Sequence, residues 1–167
     1  CSAVAVYADY QPTLNRACEL AHILGEASLR DRLIAYPAIA QNPSLLSCEI
    51  AGRFFMDAFL AQLLEETEWE RREHAAVLWQ ALRQIGVNLL HLPFRFELSH
   101  RLHEERRHGY LSVNDINKLT NAIWEDYFAD TVRGSDQYVW AAKLHFYLPR
   151  EPHYDWQYTA GYLIAAV

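Results

Sequence analysis

A chain of 167 residues with 51% hydrophobic and 13% aromatic side chains can bury one sizeable core. Its net charge of −6 and isoelectric point near 5.7 argue against nucleic acid and against acidic membrane surfaces as partners. No signal peptide, transit peptide or membrane span is visible, the terminal apolar run Tyr162 to Val167 being far too short to cross a bilayer.

In chain order, CSAVAVYADY reads as a strand. Thr13 can cap a helix running to about Ile34, with Leu20, Ile23, Leu24 and Ala27 on one side. Asn42-Pro43 has the form of a cap followed by a first-turn proline, opening a helix through Leu45, Glu49, Phe55, Phe59 and Leu63. A third helix runs from about Glu66 through Ala76, Leu78, Leu82 and Ile85. Pro93 should kink or interrupt it before it continues to His108, where Gly109 ends it. Ser112-Val113-Asn114-Asp115 has the spacing of a capping box for a helix through Ile116, Leu119, Ile123 and Tyr127. Gly134-Ser135 makes a break, a short helix follows to Tyr147, and the Pro149/Pro152 loop leads into a terminal helix. The expectation is one all-α domain over residues 1–167, with a strand at its start the one exception the pattern allows. Trp69, Trp79, Trp124 and Trp140 are expected as packing anchors.

The chemistry concentrates in Thr13 to Ala27, TLNRACELAHILGEA. His22 and Glu26 are four apart, so on a helix they share a face, and Glu49 offers a further carboxylate. The stretch resembles the zinc-site helix of the thimet oligopeptidase/oligoendopeptidase F family of metallopeptidases, which runs T-L-x-x-V-x-T-L-A-H-E-L-G-H-A. Thr13, Leu14, Leu20, Ala21, His22, Leu24, Gly25 and Ala27 fall in register with it. Ile23 stands where the family has its general-base glutamate, and Glu26 where it has its second histidine ligand. Isoleucine accepts no proton, and losing a positioned base removes roughly 10²–10⁴-fold in rate. Glu49, in PSLLSCEIAG, resembles the third-ligand segment A-E-x-A-S. A further family carboxylate is replaced by Met56, with Asp57 one place late.

The resemblance extends to Phe94-Arg95-Phe96-Glu97-Leu98, to Leu144-His145-Phe146-Tyr147 and to Tyr154-Asp155-Trp156-Gln157-Tyr158-Thr159-Ala160-Gly161. It covers only the C-terminal catalytic part of such proteins, so the chain is expected to be part of a larger zincin-type domain. The resemblance implies peptide-binding and oxyanion roles for His145, His153, Tyr154 and Tyr158, and Trp156 stands where a tyrosine is usual. It further implies one divalent metal, zinc first, on His22, Glu26 and Glu49. The other reading of the same residues is that Glu26 is a solvated helix residue and no metal binds.

A second register, Cys18-Glu19-Leu20-Ala21-His22, keeps a glutamate but breaks the Leu20-Ala21 and Leu24-Gly25 matches. Two E-x-x-H units, at Glu19/His22 and Glu97/His100, could with Glu49 and Glu125 imitate a carboxylate-bridged di-iron bundle. The histidines at 91, 100, 103 and 108 are expected on partly exposed helix faces. Cys1, Cys18 and Cys48 are too few for a disulfide framework and point to free thiols in a reducing compartment, the cytoplasm. The expected function is a non-catalytic oligopeptidase-like protein that binds short peptides or a partner protein. The alternatives are an active metallo-oligopeptidase with an atypical site, and a purely structural role.

Overall fold

The computed structural model describes residues 4–9, 11–66, 68–148 and 153–166. The described residues are helical with no strand, so the fold is all-α. Residues 4–9 are irregular, since no second extended segment among the described residues pairs with them, and positions 1–3 and 10 lie outside the described residues. The Pro149/Pro152 loop also lies outside them. No helix among the described residues is long and apolar enough to cross a membrane.

Among the described residues seven α-helices follow in order: α1 Leu14–Leu33, α2 Leu45–Glu65, α3 Arg71–Gly86, α4 Leu92–Arg107, α5 Val113–Phe128, α6 Val139–Ala142 and α7 Trp156–Ala165. Thr13 caps α1, its side chain accepting from the Arg16 N–H. The cap of α2 is Ser44, two places later than expected, because its hydroxyl accepts from the Ser47 N–H while Asn42 ends a short 3₁₀ turn. The third helix opens at Arg71 rather than near Glu66. Pro93 is absorbed without a break in the helical run, because a π-turn over Val87–His91 precedes it and places the proline in the first turn of α4. Gly109, with φ at +147°, takes the backbone out of that helix. Ser112 and Asp115 form a complete capping box on α5. Replacing Ser112 with alanine is expected to cost about 1 kcal/mol and lower the thermal midpoint by several degrees, read from a circular-dichroism melt.

The chain divides into two compact units: the described residues up to Ile85 with those from Ala160 on, and Gly86–Thr159. The first has a core of Cys18, Met56, Leu60 and Val77, with Leu14, Phe59 and Trp69 packed around it. The second has Phe94, Leu98, Ile123, Phe128 and Val139, with Trp124 and Trp140 against them. Phe94 meets Trp124 edge-on at 5.3 Å between ring centroids. Burying side chains such as Phe94 and Leu98 fully stabilises the unit by roughly 1.5–3 kcal/mol each.

One expectation is corrected, that Trp79 anchors the core, and on two helices exposure does not follow side-chain bulk. Leu20 and Leu24 are exposed, and α1 turns its smaller residues Cys18 and Gly25 inward instead. Its backbone runs against α2 so closely that a Cβ on Gly25 would collide with the Ala51 carbonyl oxygen and stand 2.9 Å from Gly52 Cα. Large side chains have no room at that seam. On α3, Leu78, Leu82 and Ile85 face outward with Trp79, which is therefore no core anchor, while Val77 and Gln80 are buried.

Candidate functional site

In the first unit, α1 and α2 bring His22, Glu26 and Glu49 together, one ligand atom from each lying within 4.8 Å of the others. His22 Nε2 is 3.1 Å from Glu26 Oε1 and 3.6 Å from Glu49 Oε2. Ligand atoms about 2.0–2.1 Å from a tetrahedral ion sit roughly 3.4 Å apart, so these separations fit a small divalent cation. The glycines of the seam explain the placement. A Cβ on Gly52 would fall 2.6 Å from the His22 ring, and one on Gly161, in α7, would fall 2.7 Å from Glu49 Cβ. His22 therefore lies on bare backbone, and Glu49 is covered by the terminal helix of the same unit.

The charges are tuned by burial and by two arginines. Glu49 is only 4% exposed, and desolvation pushes its carboxyl above the ordinary glutamate range despite the opposing pull of His22 and Arg53. Glu26 is held below that range, chiefly by the hydrogen bond from His22. Arg30 and Arg53 each stand 3.9 Å from one carboxylate, at Glu26 Oε2 and Glu49 Oε2 respectively. Among the described residues, neither Glu49 Oε2 nor His22 Nδ1 has a hydrogen-bond partner. Glu49 Oε2 meets only the longer approaches of His22 and Arg53. The unpartnered Nδ1 means that the outer hydrogen bond which usually orients a metal-binding imidazole is missing.

The second register is not assembled. Cys18 is fully buried in the apolar core, where desolvation raises its thiol above the usual range, and Glu19 is engaged by Asn15 and Arg16. Glu97 is likewise taken by Arg101, and His100 lies 3.5 Å from Glu104. Among the described residues, His22, Glu26 and Glu49 form the group able to hold a metal, and the two E-x-x-H units form none.

In the second unit the four residues assigned to peptide and oxyanion binding separate into two clusters. His145, Tyr154 and Tyr158 come together, with ring centroids 5.1, 6.2 and 5.5 Å apart. His153 does not join them. Its backbone is left-handed, at φ 58°, and its ring meets His100 and His103 edge-on at 5.4 and 5.3 Å and tilts toward Phe96. This unusual conformation sends two consecutive side chains to different places.

Behind the tyrosine cluster lies a buried pair that local sequence did not signal. Arg95 Nη2 is 2.7 Å from Asp155 Oδ1, out of line for a hydrogen bond, and donates to His145 Nδ1 at 2.5 Å. Burial works against both charges, raising the Asp155 carboxyl and lowering the Arg95 guanidinium. It also lowers the His145 imidazole, with Arg95 adding to the effect. Because Arg95 can only donate, His145 accepts at Nδ1 and carries its proton on Nε2, the tautomer needed to donate to an anionic oxygen. Arg95, Asp155, Gly52 and Arg53 were not singled out from sequence. The usable signals were an arginine between two phenylalanines, a glycine inside an apolar helix, and an arginine one turn beyond Glu49.

Comparison with protein-family models, curated proteins and solved structures finds no match to this chain.

Proposed function

We propose that this chain is a non-hydrolytic relative of the thimet oligopeptidase/oligoendopeptidase F metallopeptidases, holding one divalent cation and taking short peptides or a partner's extended segment. The observation that carries the reading is the convergence of His22, Glu26 and Glu49 beside Ile23, which supplies no base. A bound zinc ion would polarise a carbonyl or a water molecule. This chain's own residues would hold the ion through one imidazole nitrogen and two carboxylate oxygens, a harder set than His-His-Glu and one that also suits manganese. His145 and Tyr154 carry hydrogen-bond donors suited to peptide carbonyls, with the Tyr158 ring packed beside them. The location proposed is the cytoplasm, where the buried thiols of Cys18 and Cys48 stay reduced.

Elemental analysis and calorimetric titration with zinc and manganese test the metal, and a quenched-fluorescence peptide library tests turnover. Binding of about one ion per chain is expected, weakened at least 100-fold in Glu49→Ala, since losing even an outer partner costs 10–100-fold. The affinity should rise with pH through the window above the ordinary glutamate value. Glu49, its carboxyl raised by burial, keeps its proton there, and that proton competes with the cation. The double replacement Ile23→Glu with Glu26→His should tighten zinc and gain peptide hydrolysis over the parent. Equal cleavage by parent and double variant would refute the non-hydrolytic reading, and zinc or manganese uptake unchanged in Glu49→Ala would refute the metal site.

A further inference from the structure

The second unit contains a cavity of about 300 Å³ that none of these roles uses. That volume is at the lower end of the range of small-molecule sites. One wall is a single face of α4, since Ser99, Leu102, His103 and Arg106 recur at helical spacing and all line the cavity. Ile116, Trp140 and Phe146 close the apolar side. The polar lining consists of Arg106, His103 and the Ser99 and Tyr147 hydroxyls, with no carboxylate among the described residues there. Trp140 Nε1 already donates to Asn117 Oδ1 at 2.9 Å and to the Gln137 carbonyl at 3.0 Å, so the indole offers the cavity only its ring. His103 Nδ1 is 2.7 Å from the Ser99 carbonyl and must donate to it, so that nitrogen is committed within α4. Among the described residues, no carboxylate forms an ion pair with the Arg106 guanidinium. Glu104, two residues before it, faces His100 at 3.5 Å.

We propose that this cavity binds a carboxylate carried on a small apolar body, the anion meeting Arg106 and the body lying among Leu102, Ile116, Trp140 and Phe146. The guanidinium matches a carboxylate in two-pronged geometry, whereas a neutral group would leave the cation without a counter-charge. A carboxylic acid or a charge-neutral amide of the same shape would fill the apolar part equally, so the charge is the discriminating feature. The shared chemistry fits a free arylalkanoic acid and also the C-terminal residue of a peptide. The inference rests on residues of the second unit alone and does not depend on the metal site.

The test is nuclear magnetic resonance titration of the full chain with 3-phenylpropanoate and 3-phenylpropanamide, and with the tripeptide Ala-Ala-Phe as free acid and as C-terminal amide. The Trp140 indole N–H resonance should shift with at least one free acid, and the matching amide should bind about tenfold more weakly. Arg106→Gln, an exposed change that leaves the core intact, should lower the acid's affinity by about tenfold and leave the amide's unchanged. Ile116→Trp should fill the cavity and remove the response to both. Tighter binding of the tripeptide identifies a peptide terminus as the ligand, and tighter binding of 3-phenylpropanoate a free acid. Acid and amide binding equally, no shift at Trp140 with any probe at millimolar concentration, or an Arg106→Gln variant with undiminished acid affinity would each overturn the proposal.

Discussion

Replacing Arg95 with methionine is expected to destabilise the second unit by about 3–5 kcal/mol, because it strands the Asp155 carboxylate in a site only 2% exposed. Methionine keeps much of the volume, so the loss reports the charge rather than a cavity. Adding Asp155→Leu should recover most of the loss, since removing both members of a dry pair is often neutral or stabilising. The single variant should also acquire a pH dependence of definite sign. Without Arg95, nothing so close opposes the desolvation that already raises the Asp155 carboxyl. The folded state then holds a proton that the unfolded chain has lost, so stability falls as pH rises through the window above the ordinary aspartate value. Hydrogen exchange resolved over residues 86–159 and 14–85 measures this in the unit concerned. A loss below about 1 kcal/mol would mean that water reaches the pair.

Alanine at two glycines of the α1–α2 seam is expected to separate stability from metal affinity. At Gly25 the added methyl meets backbone of α2, which cannot turn aside, so the helices must part and stability should fall by about 1–3 kcal/mol. At Gly52 the methyl meets the end of the His22 side chain, with Cε1 and Nε2 at 2.6 Å and Nδ1 at 2.7 Å. A ring can rotate away, and alanine gains roughly 1 kcal/mol of helix propensity over glycine, so the fold should hold. The displaced imidazole leaves Glu26 and Glu49, and the affinity for zinc should fall by about 10–100-fold. Paired urea unfolding and zinc titration of both variants make the comparison. Equal loss of stability at the two positions would contradict the seam as described.

What the sequence discloses here depends on how local each cause is. Thr13 at the head of α1 and the Ser112/Asp115 box act within one turn, and both sit where the pattern predicts. The all-α character follows from long runs of helical spacing. Faces were harder. Leu20 and Leu24 share a side of α1 as their spacing predicts, yet a close crossing of backbones selects small residues, and Cys18 with Gly25 take the interior. Rules that score hydrophobicity cannot see that competition, because it depends on the distance between two helix axes.

The candidate site divides along the same line. His22 and Glu26 are four apart on one helix, so their approach is a local matter, whereas Glu49 meets them only because α2 packs closely on α1. Arg95 gives no sign that its counter-charge lies sixty residues on, at Asp155. His153 shows the opposite failure: it adjoins Tyr154 in the chain, yet a left-handed backbone turns it toward His100 and His103. Adjacency in a motif does not guarantee a shared destination.

An imidazole lying flat on the methylene of Gly52, with a neighbouring strut of α7 closing over Glu49, resembles a socket cast before its plug arrives. On the proposed reading, loading would begin with proton loss, since a carboxyl raised by burial and an imidazole nitrogen donating to Glu26 must both be freed before an ion can take their place.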